Sequence, residues 1–167
     1  MRIGDNMKVY EIFSNDQATE IDIPSKWAES YGKLDRKITV ALSDEDKIKI
    51  EFDDGAYGTP FEGKLAIISF FRGGYTLNDR GDALKVFNVV LAVCKKYLAE
   101  TRPTFLLFSS KNSEESRTKL YRTMIRRLAP SFGYKLIEFK DLPRELRNEV
   151  WTSEDAHDFV LMNTSAR

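Results

Sequence analysis

The chain has very few of the side chains that build disulfide frameworks, metal centres or histidine-based catalytic sites. It contains one cysteine, Cys94, and one histidine, His157, among 167 residues. A disulfide framework and a metal site built on Cys and His are therefore excluded, because each needs several such side chains. Cys94 lies inside an apolar helical run, which favours a small core residue over a nucleophile. His157 comes just before the last predicted strand, which favours a surface or hairpin position.

Long apolar runs and an excess of one charge are also missing. No run approaches the roughly 20 apolar residues of a membrane span, and the first residues lack the apolar centre of a signal peptide. The chain has 26 Lys and Arg residues against 26 Asp and Glu residues, so bulk attraction to nucleic acid or to membranes is not indicated. Together with the lone thiol, these patterns predict a soluble cytoplasmic protein with no membrane partner.

The first third of the chain predicts antiparallel strands. Apolar and polar residues alternate there with the period of half-buried strands. A short stretch around Trp27 to Tyr31 has room for one or two helical turns, and residues 53–63 form a loop rich in Gly, Pro and Asp. The alternating stretches lie at residues 7–13, 19–23, 37–42 and 47–52.

From Lys64 onward, apolar strands alternate with helices. The strand at 64–72 leads through a loop into an apolar helix at 84–98 and then into a strand at 103–109, and this crossover predicts a parallel pair. A second helix at about 113–128 and two closing strands follow. We predict one α/β domain over residues 1–167, with a mixed central sheet of six to seven strands and two main helices. Its parts are the N-terminal strands (1–63), a central core (64–139) and a closing hairpin (140–167).

The loop GGYTLNDRGDA, which enters the first helix, is the most informative feature of the chain. Backbone N–H groups at a helix start, together with the positive end of the helix dipole, bind phosphate well. Gly81 and Ala83 are small residues, which lets the backbone come close to a ligand. A second interpretation stays open, in which Gly81 only supplies a turn with a positive φ angle.

The order of these elements resembles the GCN5-related N-acetyltransferase superfamily, the acyl-CoA-dependent transferases. The resemblance covers residues 37–162 and is strongest over 64–139. In that family, the loop after the fourth strand carries Q/R-x-x-G-x-G/A, whose backbone amides bind the coenzyme A pyrophosphate. Asn78, Gly81 and Ala83 occupy the matching positions here, so the two small residues are kept and the leading Arg or Gln has become Asn.

The resemblance implies acetyl-CoA as cofactor and a set of residues around it. Tyr121 is implied as the general acid that returns a proton to the leaving thiolate, and a phenol is protonated at neutral pH as this role requires. Tyr121 also fits the apolar stripe of the second helix, so a core position remains the alternative. The implied cofactor-binding residues are Phe71, Arg72, Asn78, Arg80, Gly81, Asp82, Ala83, Asn112 and Arg117.

A carboxylate usually serves as base in this chemistry, and four lie near the central strands. We predict Glu51 for the role, with Asp53, Asp54 and Glu62 as the other candidates. Ordinary solvated carboxylates are the alternative for each of them. Backbone N–H groups of the central strand near Phe70 and Phe71 are expected to polarise the acyl carbonyl.

Two further patterns bear on the partner. The region that forms the acceptor lid in the family is short here, which leaves an open site suited to a macromolecular amine or to no catalysis. The segments RGDALKVF and SEESRTKLYRTMIRRL are similar to those of small acetyltransferase-like proteins of bacteriophages, which implies the host cytoplasm. The rival hypothesis is therefore a non-catalytic binding module that docks on a host or virion protein.

The docking face of that module would be the basic helix Arg117–Arg127. Its cations also suit contact with the cofactor's nucleotide, attraction to an acidic partner or nucleic acid, or simple solvation. Free edge strands leave a homodimer open as well. The basic residues of this region are Lys111, Arg117, Lys119, Arg122, Arg126 and Arg127.

Overall fold

The computed structural model describes residues 7–9, 21–72, 80–111, 122, 125–126, 129–149 and 156–165. These residues form a seven-stranded mixed sheet, a separate two-stranded sheet and two helices, which confirms the predicted mixed α/β fold. The elements are β1 (Met7–Val9), β2 (Ile21–Ile23), β3 (Glu29–Tyr31), β4 (Asp35–Ala41), β5 (Lys47–Asp54), β6 (Leu65–Arg72), α1 (Arg80–Thr101), β7 (Phe105–Lys111), β8 (Tyr134–Ile137), α2 (Arg144–Glu149) and β9 (Ala156–Asn163).

The strands of the large sheet lie in the order β3-β4-β5-β6-β7-β9-β8. Only β6 and β7 run parallel, and every other neighbouring pair is antiparallel. This confirms both the antiparallel first third and the parallel pair on either side of the first helix. The chain crosses the sheet in sequence from β3 to β7, and the order departs from sequence only after β7, where β9 lies between β7 and β8.

One face of the sheet packs against α1. Alternate residues of the strands, such as Ile50, Ile68 and Leu106, are buried there in one apolar cluster with the helix. Near the end of α1, the Tyr97 ring stacks on Phe52 with ring centroids 3.8 Å apart. The Tyr97 hydroxyl donates a hydrogen bond to the Leu34 carbonyl at 2.8 Å, which fixes the C-terminal half of α1 on the sheet.

The opposite face is covered over only part of its width. Leu142 and the α2 residue Leu146 pack there against Leu65, Leu107 and Val160 in a second, smaller cluster. Further toward β4, the same face carries charged and polar side chains. No helix in the described part of the chain is long and apolar enough to cross a membrane.

Three predicted elements differ from the structure. The prediction of a helical turn around Trp27 to Tyr31 is wrong. Glu29–Tyr31 instead pairs as β3 with β4 across a turn at Gly32, where φ is +52°. The first helix is longer than predicted and already begins at Arg80. No helix was predicted in the closing hairpin (140–167), but this part contains α2, whose buried Leu146 packs it on the sheet.

The predicted second helix is described at only three positions. Arg122, Ile125 and Arg126 are helical, and Ile125 is buried in the cluster beneath α1. A short 3-10 helix, Ala129–Phe132, follows, and Gly133 with φ +78° leads into β8. The remaining residues of 112–128, like residues 10–20, lie outside the described part of the chain.

Candidate functional site

The parallel strands β6 and β7 separate before they end. Their pairing runs from Leu65–Phe105 to Ile68–Phe108. Beyond that point β6 continues to Arg72, still paired with β5, and β7 continues to Lys111, still paired with β9. The two strands are therefore held on their outer sides, while their carboxyl ends, Ser69–Arg72 and Ser109–Lys111, are not paired with each other; we call the interval between these ends the gap. In open α/β sheets, ligands bind in a crevice outside the carboxyl ends of the strands.

The main-chain groups of β6 alternate between the two sides of the strand. Gly55 N donates to Leu65 O and Phe105 N donates to Lys64 O, each at 2.8 Å, so odd-numbered residues face β5 and even-numbered residues face β7. The β5–β6 register continues to Ile48–Arg72 without a β-bulge. The main chain of Arg72 therefore faces the gap, whereas the main chain of Phe71 faces β5 and its ring is 57% exposed.

The first turn of α1 lies at the same end of the sheet as the gap. The helix begins at Arg80, so Gly81, Asp82 and Ala83 form its first turn. The first four N–H groups of a helix have no acceptor within the helix, and the positive end of the helix dipole lies there. The residues that the sequence predicts for phosphate binding are thus the ones that present these donors.

The four candidate carboxylates have two different roles. Asp54 accepts hydrogen bonds from Ala56 N at 2.9 Å and from Gly63 N at 2.7 Å, and Glu62 accepts one from Gly58 N at 3.1 Å. Both therefore hold the loop at residues 55–63 in shape, at the end of the sheet away from the gap. The exposed ring of Tyr57, 78% accessible, lies in this loop.

Glu51 and Asp53 instead lie on the open face of β5. Glu51 pairs across the ladder with Ser69, the first β6 residue beyond the paired part of β6 and β7. Its carboxylate lies 2.9 Å from the Lys49 ammonium and 3.8 Å from that of Lys37. Burial, followed by the neighbouring charges of Glu51 and Asp35, raises the pKa of Asp53. Glu51 is thus level with the gap, and Asp53 lies one step further from it.

Two residues near the gap or behind it were not predicted from the sequence. Ser69 shares the open face with Glu51, and its hydroxyl is the small polar group closest in register to the gap. Asn88 lies in α1 and is only 3% exposed, and its side-chain oxygen has no hydrogen-bond partner among the described residues. A buried amide without a partner is costly. The signal for Asn88 was its position as the one polar residue in VFNVVLAV.

The positions of four predicted site residues relative to the gap are not described. Asn78, Asn112, Arg117 and Tyr121 lie outside the described residues. Arg122 and Arg126 of the predicted basic helix are both exposed.

Cys94 is buried in the core cluster, and burial raises the pKa of its thiol well above the usual range, which suits a core residue and not a nucleophile. No group of three or more His, Cys, Asp or Glu side chains suited to a metal ion occurs among the described residues.

Comparisons of the chain with protein-family models, with curated proteins and with solved structures give no match. The function therefore has to follow from the residues and the geometry described above.

Proposed function

We propose that the chain is an acetyl-CoA-dependent N-acyltransferase of the GCN5-related type. The observation that carries this proposal is the gap between the carboxyl ends of β6 and β7 beside the first turn of α1. A pyrophosphate needs donors and positive potential, which a helix start supplies. The attached chain of such a cofactor needs a slot that leads into the sheet, which separated strands supply.

The residues of the chain would share the work as follows. The N–H groups of Arg80 to Ala83 hold the phosphates, and the Arg72 main chain, which faces the gap, is available to the pantetheine or acyl part. Acetyl-CoA supplies an activated thioester carbonyl when it is bound. Attack of a neutral amine on that carbon would form a C–N bond as the C–S bond breaks, and residues of the chain would take one proton from the amine and return one to the thiolate.

Glu51 and Asp53 are the described carboxylates best placed to act as the base that takes a proton from the amine. Glu51 is level with the gap, but it must exchange its contact with Lys49 for the amine. Asp53 has a raised pKa, which favours a stronger base. The sheet face on which both lie is uncovered toward β4, so an amine on a large molecule has room to approach. This supports a macromolecular acceptor.

Thermal denaturation of the protein in the presence of acetyl-CoA tests the proposal. Acetyl-CoA should raise the melting temperature by mass action, with about 2.7 kcal/mol of stabilisation at a ligand concentration of 100 times Kd. Gly81→Leu should abolish this shift, because the new side chain stands where the phosphates approach. The fold should survive, since Leu is a better helix residue than Gly.

Ala99→Leu is the matched control, because Ala99 is an exposed residue of the same helix near its other end. It should retain the full ligand-induced shift. An unchanged melting temperature at about 1 mM acetyl-CoA, or a full shift in Gly81→Leu, would rule out the proposed binding site. Release of free thiol in the presence of an amine-bearing protein would separate a transferase from a protein that only binds the cofactor.

The second candidate is a binding module without catalysis that docks on another protein. The exposed guanidinium groups of Arg122 and Arg126 favour it, since both lie on the predicted docking helix and face solvent. Loss of binding after reversal of both charges is the result that this candidate requires.

A further inference from the structure

The edge strand β8 borders a groove of about 560 Å³, which we call the β8 groove. β8 is the last strand of the large sheet and, within the described part of the chain, pairs only with β9. The groove therefore runs along an edge where the sheet ends. The residues that matter for its chemistry are Arg122, Arg126, Lys135, Leu136, Phe139 and Phe159.

The main chain of β8 offers a pairing position to this groove. Thr164 N donates to Gly133 O at 2.8 Å, so the main-chain groups of Gly133, Lys135 and Ile137 face β9. Leu136 lies between the last two and turns its N–H and C=O the other way, toward the groove. Neither group has a partner among the described residues. An edge residue of this kind is a template for an added strand.

The groove also carries positive charge that no described residue neutralises. The Arg122 guanidinium lies over the Phe159 ring at 5.8 Å from its centroid, and Arg126 and Lys135 are exposed. No ion pair joins any of these three cations to another described residue.

The two acidic residues of the groove are already engaged. The Glu138 carboxylate pairs with Lys140 at 3.0 Å, and Asp141 Oδ2 accepts a hydrogen bond from Glu138 N at 3.2 Å. Lys140 thus offsets the charge of Glu138, and the charge of Asp141 is outnumbered by the three cations, so the groove keeps a net positive charge.

The free main chain of Leu136 and the positive charge of the groove together distinguish between the ligands that an edge groove can bind. A second copy of β8 would bring its own Lys135 and arginines against the same cations, and like charges placed side by side repel. A nucleic acid would satisfy the cations but has no peptide groups with which to pair Leu136. An extended acidic peptide satisfies both, because its main chain pairs with Leu136 while alternate side chains point toward the arginines on one face and toward Lys135 on the other.

We propose that the β8 groove binds an acidic segment of a partner protein as an added β-strand. The inference rests on the second candidate function, protein binding, and is independent of acyl-CoA binding. It names the element that receives the partner, the edge of β8, and the chemistry of the partner, an extended chain rich in Asp or Glu.

Fluorescence anisotropy with a labelled peptide of repeated Glu-Glu-Val-Val, which places Glu on both faces of a strand, tests this inference. The double variant Arg122→Glu/Arg126→Glu should weaken binding by about tenfold or more, because both changes place like charge against the peptide. The same peptide with every backbone nitrogen methylated keeps its charge but has no N–H donors. It should also bind at least about tenfold more weakly, since an added strand requires these donors.

Lys26→Glu/Lys95→Glu is the control, because it makes the same change in net charge at two exposed lysines that do not line the groove. Equal weakening by this control, or no binding at about 1 mM peptide, would overturn the inference. Unchanged affinity for the methylated peptide would overturn strand addition while leaving electrostatic docking intact. Tighter binding of an oligothymidylate than of the peptide would identify nucleic acid as the occupant and equally overturn it.

Discussion

The two halves of β6, Leu65–Ile68 and Ser69–Arg72, have different neighbours. From Leu65 to Ile68 the strand is paired on both sides and covered by apolar side chains on both faces. From Ser69 to Arg72 its ladder to β7 has ended and one face carries Ser69 and the exposed ring of Phe71. The closed half therefore carries stability, and the open half leaves room for a ligand.

The largest expected effect compares a side chain from each half. Leu65 is fully buried in the closed half, so Leu65→Ala should lower the free energy of unfolding by about 3 kcal/mol. Phe71→Ala in the open half should cost less than about 0.5 kcal/mol, because more than half of the ring is already in water. Urea denaturation of both variants measures the difference. Equal losses would mean that the open half is covered in solution.

A smaller loss of stability is expected for a buried hydrogen bond between β8 and the residues just before β7, the strand that pairs with the closed half of β6. The Tyr134 hydroxyl donates to the Pro103 carbonyl at 2.6 Å, just before β7 begins, and burial raises the pKa of this phenol to about 12. Tyr134→Phe should lower the free energy of unfolding by about 1 to 2 kcal/mol, because the buried carbonyl loses its donor.

Tyr57→Phe is the matched control for that change. Its phenol is largely exposed, so thermal denaturation should show no change in stability. A loss in Tyr57→Phe as large as that in Tyr134→Phe would contradict the role assigned to the buried hydrogen bond.

The smallest effect concerns the carboxylate beside the closed half. The folded state raises the pKa of Asp53 above its ordinary value of 3.8, so the charged form costs stability at neutral pH. Asp53→Asn should therefore raise the free energy of unfolding at pH 7, by about 0.5 kcal/mol or less at this exposed position. The gain should shrink as the pH falls through the raised pKa and vanish below 3.8, where both states are protonated.

Glu51→Gln is the contrast for Asp53, since Glu51 has the Lys49 ammonium as partner. This variant should lose a few tenths of a kcal/mol at pH 7, because a surface ion pair is removed. Denaturation at several pH values compares the two, and a stabilising Glu51→Gln would contradict the assigned contacts.

The sequence predicted the alternating strands and the parallel crossover well, because both depend on local periodicity. Ile48, Ile50 and Phe52 face the core at period two, as the pattern required. It did not predict β3, since Glu29–Tyr31 is fully exposed and becomes a strand only through its pairing with β4. It also did not predict α2, a helix of six residues whose docking depends on the buried Leu146.

The candidate site was predictable only in part, for similar reasons. Gly81 and Ala83 could be identified from the loop that enters α1, because small residues before a helix have a local meaning. The separation of β6 from β7 could not be predicted, since it depends on where two strands distant in sequence stop pairing. The different roles of the carboxylates could not be predicted either. Asp54 and Glu62 accept hydrogen bonds from backbone N–H groups, whereas Glu51 pairs with lysines, and the folded structure decides these partners.

The loop at residues 55–63 gives the protein a natural handle for surface attachment. Asp54 and Glu62 brace this loop from within, and Tyr57 projects from it beside the start of β6. The gap lies at the far end of the same strand, roughly 20 Å away at the rise of an extended chain. A dye or tether coupled at Tyr57 would therefore leave the gap unobstructed on a sensor chip.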